Sequence, residues 1–244
     1  MDGMIAPGLL LVSMLIAAAA GVIRGITGFG GALFMMPPLT LILGPRVAVL
    51  TVVLLEGFAA GPMLRDAMRQ ARYRVIVPIA LAACLTVPIG GHFLLTLDPE
   101  VTRRLIAGVV LIFSLALLKE LQFQGPHRLP VSIALGAFSG VLLGATSIGA
   151  PPVILYLLSG PDPVAVTRAN LTLYIVAMSI VMLVVLTLQG VFEARDALIP
   201  LILGPCFYAG VKLGDALFPR FSDKTFRRFA LALLCAVSAV VLIV

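Results

Sequence analysis

The sequence predicts an all-α integral membrane protein built from two inverted five-segment repeats, each beginning with a Gly-rich helical hairpin. Three observations carry this expectation. Of the 244 residues 61% are hydrophobic and only 11% charged, with a mean hydropathy of +1.17, whereas a soluble domain is about 45–50% apolar and about 25% charged. The few charges divide the chain into long neutral windows, and the motifs of the first half recur in the second. The 23 Gly and 17 Pro are compatible with this class, because membrane helices tolerate both. No stretch is polar enough for an extramembrane domain, which excludes most soluble-enzyme, receptor and nucleic-acid readings. The net charge of +6 is therefore a topology signal.

The neutral windows place helical segments at 4–23, 30–43, 47–65, 73–96, 102–119, 129–144, 149–159, 164–190, 196–218 and 224–243. The first is expected to be a retained helix, since Asp2 stands where a signal peptide carries basic residues. The first and second are parted by TGFGG. The window 129–161 is too long for one span and is broken by Gly144, Gly149, Pro151 and Pro152, so it divides into two short helices. The second and seventh segments reach only about 21 and about 17 Å at 1.5 Å per residue, short of a hydrocarbon core of about 30 Å. The expected arrangement is eight full spans plus re-entrant hairpins whose tips approach each other, with up to ten crossing segments as the alternative. Cys84, Cys206 and Cys235 all fall in apolar segments without metal-ligand spacing and read as small core residues.

Lys and Arg orient the segments, because cytoplasmic loops carry the excess. The stretch Arg65 to Arg74 holds four arginines. Alternation from there puts 13 of the 17 basic residues on one side, leaving Arg46, Arg103, Arg104 and Arg195 on the other. Both termini are then periplasmic. Arg24 and Arg168 weigh least, since either could lie within the membrane.

GVIRGITGFGG (Gly21 to Gly31) lies over GVLLGATSIGA (Gly140 to Ala150) at an offset of 119, Pro78 and Cys84 match Pro200 and Cys206, and DPEVTRRL matches SDKTFRRF at an offset of 124. The expected organisation is a first membrane repeat over residues 1–121, a connecting cytoplasmic loop over 122–128, and a second repeat over 129–244. Five segments per half invert the second copy. In transporters of this design, Gly/Pro-interrupted segments at matching places mark the substrate site near the bilayer midplane.

A Gly-rich turn opening a helix exposes unpaired N–H groups at the positive end of the helix dipole, and glycine admits a ligand close to the backbone. The turns at Thr27, Gly28, Phe29, Gly30 and Gly31 and at Thr146, Ser147, Gly149 and Ala150, with the positive charge of Arg24, are the candidate anion site. The alternative is that these glycines serve only close helix packing.

The paired motifs GITGFGGALFMMPPL and GATSIGAPPVIL resemble those of the TauE/SafE family of membrane anion transporters, associated with sulfite, sulfoacetate and related organosulfonates. The resemblance covers nearly the whole chain and implies export of a small sulfur oxyanion or sulfonate across the bacterial inner membrane. SIGAPP departs from the family's usual second GG, which argues against identical roles for the two turns. Glu56 falls near mid-membrane, where an ionised carboxylate costs about 2.5–3.5 kcal/mol unless paired or protonated. It is the candidate proton-coupling group, with a fixed ion pair to Arg24 as the alternative. Asn170 and Tyr174, one helical turn apart, are candidate lining residues.

There is no P-loop, HExxH, GxSxG or His/Cys cluster. The chain is therefore expected to be a secondary transporter and no enzyme, with no catalytic residues, cofactor or metal. Its expected partners are a small anionic substrate, protons if Glu56 titrates, and the lipid bilayer, with no nucleic acid. An anion channel or a membrane subunit of a larger complex is the competing reading.

Overall fold

The computed structural model describes residues 7–27, 29–119, 121, 128–160, 162–190 and 197–221, together with 235, 238, 239, 241 and 242. The helices are α1 (Pro7–Thr27), α2 (Gly31–Leu43), α3 (Pro45–Ala60), α4 (Leu64–Gln70), α5 (Tyr73–Thr96), α6 (Pro99–Leu118), α7 (Leu129–Thr146), α8 (Ala150–Leu158), α9 (Val164–Leu188) and α10 (Leu198–Phe221). Among the described residues, seven helical segments are long and apolar enough to cross a membrane: α1, α3 continued through α4, α5, α6, α7, α9 and α10. α2 is apolar but has only 13 residues, and α8 has nine. The chain is a multi-pass membrane protein. Leu85, Leu188 and Leu201 point outward while Ser13, Thr51 and Asn170 are buried, the arrangement expected where the surrounding solvent is hydrocarbon.

Local sequence sets several ends. Gly44, at φ 76°, reverses the chain between α2 and α3, and Pro45 then opens α3, where its missing N–H costs nothing. Asp98 caps α6 by accepting from Glu100 N at 2.8 Å, with Pro99 at the first helical position. Two boundaries differ from the sequence expectation by four residues or more. α1 runs on to Thr27 rather than stopping at 23, so Arg24 is a helical residue; Gly21 and Gly25 do not end the helix because they are packed against α10. The third segment does not stop at 65 either. It tightens into a 3-10 turn at Gly61–Met63, where Pro62 lacks an N–H, and resumes as α4. Arg65 and Arg69 thus ride on a helix rather than in a loop. The expected tenth segment, 224–243, lies largely outside the described residues.

Two glycine-lined crossings organise the bundle, α1 on α10 and α5 on α7. A Cβ at Gly21 or Gly25 would strike the α10 backbone between Phe207 and Asp215, and Gly210 and Gly214 face Ala18 and Val22 in return. Gly140 and Gly144 meet the α5 backbone at Ala83 and Val87 in the same way. Where Gly210 would stand on α5 there is Thr86, whose hydroxyl donates to Ala137 O at 2.8 Å. Small residues let membrane helices approach this closely. The two contacts superpose when α5 is shifted onto α10 by 124 residues, the offset of the DPEVTRRL match. The Pro78–Pro200 and Cys84–Cys206 matches are therefore two residues out of the contact register, because contact geometry follows the glycines and not the prolines.

Polar groups gather at opposite ends of α5, whose 24 residues span about 36 Å. At its first end Arg72 pairs with Asp162, and at its last Arg46 Nη2 donates to Leu95 O at 2.9 Å.

Candidate functional site

The α2–α3 hairpin closes at Gly44 and carries Glu56 down to the start of α2. There Glu56 Oε1 accepts from Ala32 N at 2.8 Å, and Glu56 Oε2 lies 2.8 Å from Arg24 Nε on α1. Arg24 and Glu56 are 6% and 7% exposed, so both charges are removed from solvent. A buried pair of this kind gains little over an apolar isostere, yet removing one partner costs about 3–5 kcal/mol. Gly30, at φ 91°, gives the turn a left-handed step, and Gly31 leaves room for the carboxylate, since a Cβ there would collide with Glu56 Oε1.

The second turn is built differently. Its left-handed residue is Ser147, at φ 59°, one position past the end of α7. Gly149, at φ −97°, is pressed against Ser139 and Leu143. Ser139 donates its hydroxyl to Gly149 O, so the Tyr174 hydroxyl, 2.6 Å from Ser139 Oγ, donates to Ser139. A carboxylate satisfies an N–H in the first turn, while a hydroxyl chain satisfies a carbonyl in the second. Thr146 is engaged locally, donating to Leu142 O at 2.6 Å and accepting from Ile148 N at 3.2 Å.

Between the turns lies a cavity of about 50 Å³. It brings together seven of the residues singled out in the sequence: Arg24, Phe29, Gly30, Glu56, Ser147, Ala150 and Tyr174. Gly31 backs onto Glu56 and Phe207, while Gly149 and Thr146 are buried behind the wall. Asn170 does not line the cavity; its carboxamide oxygen accepts from Arg72 N at 2.8 Å. Gly28 and the Thr27 side chain lie outside the described residues.

Most of the wall is apolar and was not legible from motifs. Leu33, Val53, Leu143, Ile148, Ile154, Ile175 and Met178 form it, with Ser179 as a further hydroxyl. At the position that the 119-residue offset assigns to Arg24, the second half has Leu143, so the cavity is charged on one side and apolar on the other. Ser139 has a sequence signal in retrospect. Ser132, Ser139 and Thr146 recur every seven residues on α7, and each takes a polar partner: Ser132 meets Tyr156 at 2.8 Å.

A buried cation, a helix N-terminus and hydroxyls are the kinds of group a desolvated anion needs for compensation and hydrogen bonds, and in this structure the carboxylate of Glu56 takes the first two. Among known proteins, the family model described as "Sulfite exporter TauE/SafE" matches residues 13–241. No curated protein and no solved structure matches the chain.

Proposed function

Because the chain belongs to the TauE/SafE sulfite exporter family, we propose that it is a secondary transporter, not an enzyme, exporting sulfite, sulfoacetate or a similar small sulfur oxyanion or sulfonate across the bacterial inner membrane. In this reading the anion binds between the two turns, and the chain is an inverted duplication with both termini periplasmic. The matching glycine crossings of α1 with α10 and α7 with α5 support the duplication.

The observation that carries the proposal is the contact set of Glu56. Arg24 and Ala32 N, two donors suited to a substrate anion, hold an internal carboxylate instead. A substrate anion therefore competes with Glu56. Protonation cancels the carboxylate's charge, weakens its hold on Arg24 and opens those donors to the substrate. Proton binding at Glu56 and anion binding at Arg24 then favour each other reciprocally, so proton and anion leave together, driven by the anion's own gradient and without a nucleotide site. The apolar wall excludes water and strengthens each of these interactions.

The test is sulfite flux from proteoliposomes containing the purified chain, measured against concentration and against an imposed pH difference. Saturable flux that responds to the pH difference supports the carrier. Flux that rises linearly with concentration identifies a channel, and absence of flux from a folded, purified chain points to an obligate partner.

A further inference from the structure

A second and larger cavity, of about 430 Å³, lies where α4, α9 and α10 meet. Its lining includes Asp66 and Gln70 of α4, Arg168 and Thr172 of α9, and Lys212 of α10. Among the lining residues two cations face one carboxylate and Gln70 adds a neutral hydrogen-bond donor, while the Thr172 hydroxyl donates to Arg168 O at 2.9 Å. The Lys212 ammonium stands 5.6 Å above the Tyr208 ring, which favours a fixed position for the charge.

This cavity shares a wall with the central one. Arg168 and Thr172 line it, and Ile175 and Ser179, the next positions on the same face of α9 at helical spacing, line the central cavity. Arg168 and Ile175 are seven residues apart, about 10 Å along the axis. The facing wall is also continuous in chain: Glu56 closes α3 against the central cavity, and Asp66 lies on α4 beyond the 3-10 turn. Between them Ala60 is fully buried and Gly57 lies against Ser179, so the two cavities are separated by a short packed stretch of small side chains.

We propose that this cavity is a second anion subsite, a vestibule in which Arg168 and Lys212 capture the small anion before it passes along α9 to Arg24. The inference rests on the central cavity being the transport site. A cleft of one sign with apolar walls concentrates ions of the other sign and speeds their capture, and salt weakens the effect. Asp66 opposes it and sets how tightly the anion is held there.

The experiment measures sulfite flux in proteoliposomes for Arg168→Gln, Lys212→Gln, the double variant, Asp66→Asn and Arg24→Gln. The double variant is expected to raise the half-saturation concentration about fivefold or more with maximal flux unchanged, and to flatten its dependence on salt. Asp66→Asn should lower the half-saturation concentration, and Arg168→Lys with Lys212→Arg should restore the unmodified value. A double variant with unmodified half-saturation, or one losing only maximal flux, overturns the vestibule. If Arg24→Gln abolishes flux while the vestibule variants behave as the unmodified protein, only the vestibule fails. If Arg24→Gln transports normally, the central reading fails instead. Should the double variant not fold, the single variants Arg168→Gln and Lys212→Gln decide: a raised half-saturation concentration with a flatter salt dependence in either supports the vestibule, and unmodified values in both overturn it.

Discussion

Ala32 and Glu56 lie at equal distances along the chain from Gly44, twelve residues on either side, and the peptide N–H of the first donates to the carboxylate of the second at 2.8 Å. An antiparallel helical hairpin brings such positions to the same height. Gly44 therefore decides which side chain caps α2, and Arg24 approaches that cap from α1. Charge compensation at the centre of the bundle is thus a consequence of hairpin geometry joined to the α1 crossing.

Arg24→Gln leaves Glu56 buried without its cation, which is expected to cost about 3–5 kcal/mol in stability. Combining it with Glu56→Gln removes both charges and should recover most of that loss. Neither variant should bind sulfite well, the deficit being about 2–5 kcal/mol for a desolvated pair. Thermal unfolding with and without sulfite checks both statements. Arg69→Gln, on the exposed face of α4, should leave the sulfite response unchanged because salt screens that charge.

Glu56→Gln should tighten anion binding by about tenfold, within the range usual for coupling between sites, because the competing carboxylate becomes neutral. The groups that touch it are Arg24 on α1 and the α2 N-terminus at Ala32, and Tyr174 and Ser179 of α9 line the same cavity. Sulfite titrations of the unmodified protein and of the variant at one pH give the answer, and equal affinities would reduce Glu56 to a structural partner.

Gly144→Val should abolish folding, since any side chain there meets the α5 backbone at Val87 and Gly91. Gly108→Val, on α6 where an added Cβ meets no atom within 4 Å, should be nearly silent. Yield of monodisperse protein after extraction separates the two. Equal yields would show that the α5–α7 crossing tolerates a wider spacing.

Ser139→Ala leaves the Gly149 carbonyl and the Tyr174 hydroxyl without this shared partner in a buried site, at a cost of about 1–3 kcal/mol. The double change with Tyr174→Phe should recover part of that loss by removing one stranded donor. Non-additivity measured in a double-mutant cycle would demonstrate the chain of hydroxyls.

Single cysteines at Gln70 and at Val101, both exposed, in a background without Cys84, Cys206 and Cys235, should react with an impermeant reagent from opposite sides of the membrane. The expectation follows from the 13-to-4 division of basic residues. Labelling of both from one side would remove the charge argument for the topology.

The sequence by itself determined the class of protein, most of its helices and the two turns, because these depend on local composition. A hydrocarbon core demands apolar windows of fixed length, a chain reversal demands glycine or proline, and both are written in consecutive residues. The recurrence of GVIRGITGFGG as GVLLGATSIGA was legible for the same reason. Only the tertiary structure decided which glycines shape a turn and which admit a neighbouring backbone: Gly30 does the first, and Gly21, Gly25, Gly140 and Gly144 do the second. It also decided that Asn170 serves the junction before α5, that leucines, isoleucines and Met178 wall the cavity, and that an internal carboxylate holds the donors at the head of α2. An apolar side chain carries the same local signal whether it faces lipid, a packed helix or a cavity. Which of these it meets depends on helices brought together from distant parts of the chain.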